Sequence, residues 1–221
     1  EQAPTEPRES VCFIGDRPQR VAGSSCLPVA LVRRYEVTVE LRDHGLSGLG
    51  AGEAEAALRR HLGVCVDLCH AGVEFEDPAE CIDALRRAGI AVAKLQVTAG
   101  LQVRRVDAAA RAALARFADP VYLHQVVVRD RNGLRRHADL DAAFADSALD
   151  TPDAEWRVHF HVPLFLEHLG AFGSTQGFVR EVLAGHRERP VSQHLEVETY
   201  TWDVLPEPYR DRPVAEAIAA E

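Results

Sequence analysis

From Glu53 onward, apolar and polar positions alternate between short apolar runs and amphipathic stretches. "EAEAALRRHLG" predicts a short helix ending at Gly63, and "VCVDLCH" follows as a buried strand over residues 64–70. In "EDPAECIDALRRAG", Asp77 stands as N-cap, Pro78 takes the first helical position and Gly89 falls just past the end. "IAVAKLQVT" is a second apolar strand. "RVDAAARAALARFAD" is a further helix, with Val106, Ala110, Leu114 and Phe117 along one stripe. Strands alternating with helices at this spacing predict a parallel sheet with crossover helices.

The alternation then breaks. "VYLHQVVVRD" and "LRRHADL" flank Asn132-Gly133, a strong hairpin signal. The helix "DLDAAFADSA" comes next, then the strand "EWRVHFHVPLF". "GSTQGFVREVLAGHRE" predicts a helix capped by Ser174 or Thr175, "HLEVETYTW" a last strand, and "VAEAIAA" a final helical turn. An anion at the N-terminus after Ser174 and Thr175 is the alternative to simple capping. Residues 1–52 carry no such order: "RRYEVTVELRD" alternates well enough for one strand, and the remainder is turn-rich or Gly-rich. The chain divides accordingly into a poorly ordered N-terminal segment, 1–52, and a patterned region, 53–221.

Composition narrows the classes. An apolar content of 47% suffices for a packed core, and a formal charge of −9 argues against nucleic acid or an anionic membrane surface as partner. No apolar run approaches the roughly 18 residues of a membrane span, and no export signal opens the chain. A soluble, cytoplasmic protein is expected. The five cysteines are odd in number, and Cys65 and Cys69 lie close along one expected strand. A disulfide framework is therefore not expected, and the cysteines read as small core residues. The absence of methionine predicts that the sequence is a fragment.

Candidate chemistry collects on the strands. Asp67 and His70 end the first, Lys94 and Gln96 sit late in the second, and His124 lies in the hairpin strand. His159 and His161 share a face of the next strand, as do Glu196 and Glu198 of the last, because residues two apart project together. In parallel α/β folds the C-terminal strand ends form one rim where catalytic groups gather. Buried carboxylates and imidazoles must be paired or hold something, since an uncompensated charge costs several kcal/mol. Two histidines, an aspartate and a glutamate drawn from Asp67, His70, His159, His161, Glu196 and Glu198 suit a divalent cation such as Zn²⁺, Mn²⁺ or Mg²⁺. The plainer alternative is a set of hydrogen-bonded strand ends with no ligand.

Several motifs resemble a known family. "GVCVDLCHAGVEFEDP" is similar to the Asp-x-x-His strand of xylose-isomerase-like TIM barrels. Together "CHAGVEFEDP", "VYLHQVV", "EWRVHFHVPLF", "FGSTQ" and "HLEVETYTWDVLP" resemble the metabolite traffic protein EboE family over roughly residues 53–206. The resemblance implies an α/β fold, the C-terminal half of a (β/α)8 TIM barrel with an inserted β-hairpin and a metal site at its rim. A whole barrel takes ~250 residues, and residues 1–50 do not resemble the family. By motif, Asp67 matches the metal-binding aspartate of the xylose-isomerase-like superfamily, His70 a ligand or substrate-contacting histidine, and Glu198 the last-strand glutamate that bridges or binds metal. Gln96 stands where many relatives have a histidine, a place His159 or His161 would then fill.

The resemblance further implies handling of a small metabolite or its precursor for export, with other proteins of a metabolite transport cluster as partners. The alternative is a metal-dependent sugar isomerase or epimerase, with Glu196 or His70 moving the proton. Phosphodiester hydrolysis in the manner of endonuclease IV ranks last, because it needs a basic DNA-facing surface.

Overall fold

The computed structural model describes residues 9–13, 18–22, 48–61, 63–146, 153–198, 201–207 and 209–221. The strand expected over 33–43 lies outside the described residues. Before Glu53, β1 (Glu9–Phe13) and β2 (Pro18–Ala22) pair as an antiparallel hairpin. This hairpin departs from the irregular segment expected over residues 1–52.

From there the fold is α/β. Helix α1 (Ala51–His61) leads into β3 (Gly63–Asp67), α2 (Leu68–Val73), α3 (Pro78–Arg87) and β4 (Ala91–Val97). The expected caps of α3 are present: Asp77 accepts from the backbone N–H groups of Ala79 and Glu80, Pro78 opens the helix, and Gly89 turns the chain out at φ +64°. The first strand is shorter than its apolar run. It stops at Asp67, whose carboxylate caps α2 by accepting from the N–H groups of Cys69 and His70. "LCH" is therefore helical, and Cys65 and Cys69 lie on different elements. β3 and β4 pair in parallel, and the late strand β11 (Leu195–Val197) adds to the other side of β4, also in parallel.

The second apolar run divides at Thr98. β5 (Ala99–Val103) leaves the parallel sheet and joins a second one, so helix α4 (Ala108–Leu114) follows β5 and not β4. That sheet also contains β6 (Val126–Asp130), β7 (Gly133–His137), β8 (Glu155–Val162), β9 (His168–Leu169) and β10 (Phe172–Ser174). Its order is β7-β6-β8-β5-β10-β9, antiparallel throughout. An uninterrupted apolar run predicts burial on both faces but not which sheet a strand will enter. Among the described residues the two sheets stay open and form no closed barrel.

The hairpin at Asn132-Gly133 forms, with Gly133 at φ +115° opening β7 opposite Asp130. Helices α5 (Leu140–Ala145), α6 (Gln176–Glu188) and α7 (Val214–Ala220) complete the chain. Thr175 is the N-cap of α6, but its hydroxyl turns away from the helix to accept the N–H of Gly100 at 2.8 Å.

One face of the antiparallel sheet buries Trp156, Val158 and Phe160 of β8 in the main core, which also holds Leu114, Phe117 and Leu140. The rings of Phe117 and Phe160 meet edge to face at 5.1 Å. Burying such side chains contributes roughly 1.5–3 kcal/mol each. The opposite face of β5 and β8 receives α2, where Cys69 and Val73 pack on Val127. The end of α2 is pinned by Phe75, a non-glycine residue at φ +58°, whose ring lies between the Arg129 and Arg157 guanidinium groups at 4.3 and 3.9 Å.

Candidate metal centre

The C-terminal ends of the parallel strands meet the α2-bearing face of β8 at one place. β3 ends in Asp67, β4 supplies Gln96, the chain leaving β11 supplies Glu198, and β8 brings His159 and His161. His159 and His161 share a face, as their spacing predicts. An irregularity in the β5–β8 pairing, where Gly100 faces His161 and Leu101 faces Val158, leaves His159 and Phe160 unmatched on the β5 side. His159 instead donates its backbone N–H to Gln125 O at 2.8 Å.

Contacts within the cluster are short. The Nε2 atoms of His159 and His161 lie 3.1 Å apart, and His161 Nδ1 is 3.5 Å from Glu198 Oε2. The His70 ring stacks on His159 with centroids 3.9 Å apart, and its Nε2 is 3.8 Å from Asp67 Oδ2. Asp67 divides its work: Oδ1 caps α2, while Oδ2 accepts from Gln96 Nε2 at 3.1 Å. The same Gln96 amide also donates to Glu198 Oε2, so one neutral side chain ties the two carboxylates together. Thr201 Oγ1 donates to His161 O at 2.6 Å from the segment beyond Glu198.

Three overlapping sets of ligand atoms lie within 4.8 Å of one another: Asp67 with His70 and His159, Asp67 with His161 and Glu198, and Cys69 with His159 and His161. All five residues expected to bind metal are thus brought together. Glu196 is not among them. It lies on β11 and pairs with Lys94 Nζ at 3.0 Å, with 58% of its side chain exposed. His124 also stands outside the cluster, fully buried with Nε2 2.7 Å from Asp119 Oδ2.

Burial sets the electrostatics. It holds the His161 imidazole down to about 4 and the His159 imidazole well below the usual range, with His70, His161 and His124 adding to the latter effect. Both rings are neutral at physiological pH and keep a lone pair for a cation. Burial pushes the Glu198 carboxyl up, and the Asp67 charge adds to it, against the Gln96 hydrogen bond and Lys94. Two carboxylates and two neutral imidazoles in one partly buried site fit a divalent cation: its charge relieves the carboxylate repulsion, and it takes the imidazole lone pairs.

Sequence reasoning passed over two participants. Cys69 read as core; its only signal is that it sits between Asp67 and His70. Gln96 read as a missing histidine and is in fact the bridge between carboxylates. No protein-family model, curated protein or solved structure matches the chain.

Proposed function

We propose that this chain is an EboE-like metabolite traffic protein, a portion of a xylose-isomerase-like TIM barrel that handles a small metabolite or its precursor for export over a divalent-cation site. The observation that carries the reading is the convergence of Asp67, His70, His159, His161 and Glu198 from separate segments. The parallel order β3-β4-β11, with its polar side chains at one rim, supports the barrel portion. A bound cation would polarise a hydroxyl or carbonyl oxygen of the metabolite. The chain's own residues do the rest: Asp67 and Glu198 supply negative charge, Gln96 sets their spacing, and His159 and His161 offer neutral nitrogens. Other proteins of a metabolite transport cluster are the proposed partners. No helix among the described residues is long and apolar enough to cross a membrane.

A second reading, metal-dependent sugar isomerisation or epimerisation, is favoured by His70. Its imidazole lies beside Asp67 and on His159, where it can hold or move a proton at the bound molecule.

Metal content of the purified protein tests the site. Stoichiometric divalent metal is expected in the wild type and its loss in Asp67→Ala and Glu198→Ala; equal absence in all three refutes the site. Incubation of the loaded protein with sugar phosphates and polyols in D₂O then separates the readings. Conversion of the sugar, with or without deuterium at carbon, supports isomerisation, deuterium marking transfer of a proton through His70; binding with no conversion supports traffic.

A further inference from the structure

We propose that Cys69 is the inward ligand of this centre, that it acts with His159 and His161, and that the resident cation is consequently zinc. The inference rests on the metal-site reading above, but makes a claim that reading does not: a sulfur ligand.

Geometry supports it first. The ligand atoms of Cys69, His159 and His161 all lie within 4.8 Å of one another. A tetrahedral zinc, with Zn–N of about 2.05 Å and Zn–S of about 2.3 Å, sets its nitrogen ligands about 3.3 Å apart and sulfur about 3.6 Å from nitrogen. The two Nε2 atoms are already at 3.1 Å. Closing the thiol from within 4.8 Å to bonding geometry takes at most about 1.2 Å. The Cys69 backbone is fixed, because its N–H donates to Asp67 Oδ1 at 2.8 Å and it forms the first turn of α2.

The surroundings support it next. On one side Cys69 packs on Val73 and Val127, as a core residue does. Its other side faces the His159 and His161 rings, which a merely space-filling cysteine would not require. Gly100 keeps the approach open: a Cβ there would stand 3.2 Å from Cys69 Sγ and 2.7 Å from Val73 Cγ2. Cys69 is fully buried, so solvent reagents do not compete for the thiol.

The chemistry chooses the metal. As the sulfur–zinc bond forms, the thiol proton leaves to solvent and the sulfur lone pair becomes the bond. A thiolate with two imidazoles is a soft set that selects Zn²⁺ over Mg²⁺ and Mn²⁺. Asp67, or the oxygen of a bound metabolite, then completes four-coordination, as in catalytic zinc sites with three protein ligands.

Cobalt(II) substitution tests the proposal without any activity assay. The wild-type Co²⁺ protein is expected to show a near-ultraviolet sulfur-to-cobalt charge-transfer band. Cys69→Ser and Cys69→Ala should lose it and bind Zn²⁺ at least roughly 10–100-fold more weakly, while Cys65→Ser keeps both. Zinc-edge X-ray absorption of the wild type, which needs no variant to fold, is expected to find one sulfur at about 2.3 Å. Co²⁺ and Zn²⁺ bound with no sulfur signal overturn Cys69 as ligand and leave the carboxylate–histidine site standing. A band that survives Cys69→Ser and disappears in Cys65→Ser also overturns it. Failure to bind either metal sinks both this inference and the site beneath it.

Discussion

Acid should unfold the metal-free protein through His161, and the size of the effect follows from its burial. The unfolded imidazole takes up a proton near its ordinary value of 6.5, whereas the folded one resists until about 4 because β8 holds it away from water. Between those values the unfolded state carries more protons, so stability falls as pH falls, and the loss is complete near the lower value. At ~1.4 kcal/mol per pH unit, the interval from 6.5 to about 4 amounts to ~3 kcal/mol. His159 acts in the same direction. Glu198 acts oppositely, because its raised carboxyl binds a proton more readily in the folded state. A loss of ~3 kcal/mol is a large part of the ~5–15 kcal/mol that holds a typical domain folded. The assay is urea unfolding of chelator-treated protein at intervals from about pH 7 to about pH 4, with His161→Gln alongside. The wild-type curve should steepen below about pH 6.5, and the variant should be flatter by the His161 share. Parallel curves for the two proteins would refute the reasoning.

Three further outcomes follow from the geometry. Gly100→Ala should destabilise by ~1–3 kcal/mol, since its methyl group would press on Val73 and Cys69 and lift α2 from the sheet; thermal melts check this, and an unchanged melting temperature denies the close approach. Glu196→Gln should change metal affinity by no more than about fivefold, the equivalent of ~1 kcal/mol for a surface ion pair; loss of binding in a metal titration would bring Glu196 into the centre. Gln96→Leu removes the donor shared by Asp67 and Glu198 and should cost ~1–3 kcal/mol at neutral pH, with the deficit shrinking when a divalent cation is added. Calorimetry with and without the cation reads both parts, and a deficit that the cation leaves untouched counts against a site between the two carboxylates.

Local chemistry carried much of this protein in its sequence. The α3 caps at Asp77 and Pro78, the glycine turn at Gly89, the hairpin glycine at Gly133 and the Val106–Phe117 stripe are decided by residues a few positions apart, so they were legible in the chain alone. The same holds for the shared face of His159 and His161, fixed by the two-residue period of a strand. Tertiary structure decided the rest. That β5 leaves the parallel sheet, that β11 returns to pair with β4, and that Glu198 reaches His161 depend on contacts between segments far apart in sequence. Burial, too, is collective: whether Cys69 is filler beside Val127 or a thiol against two imidazoles depends on where β8 lies, and no stretch around residue 69 encodes that position. Periodicity specifies which way a side chain points from its own strand; only packing specifies what it then meets.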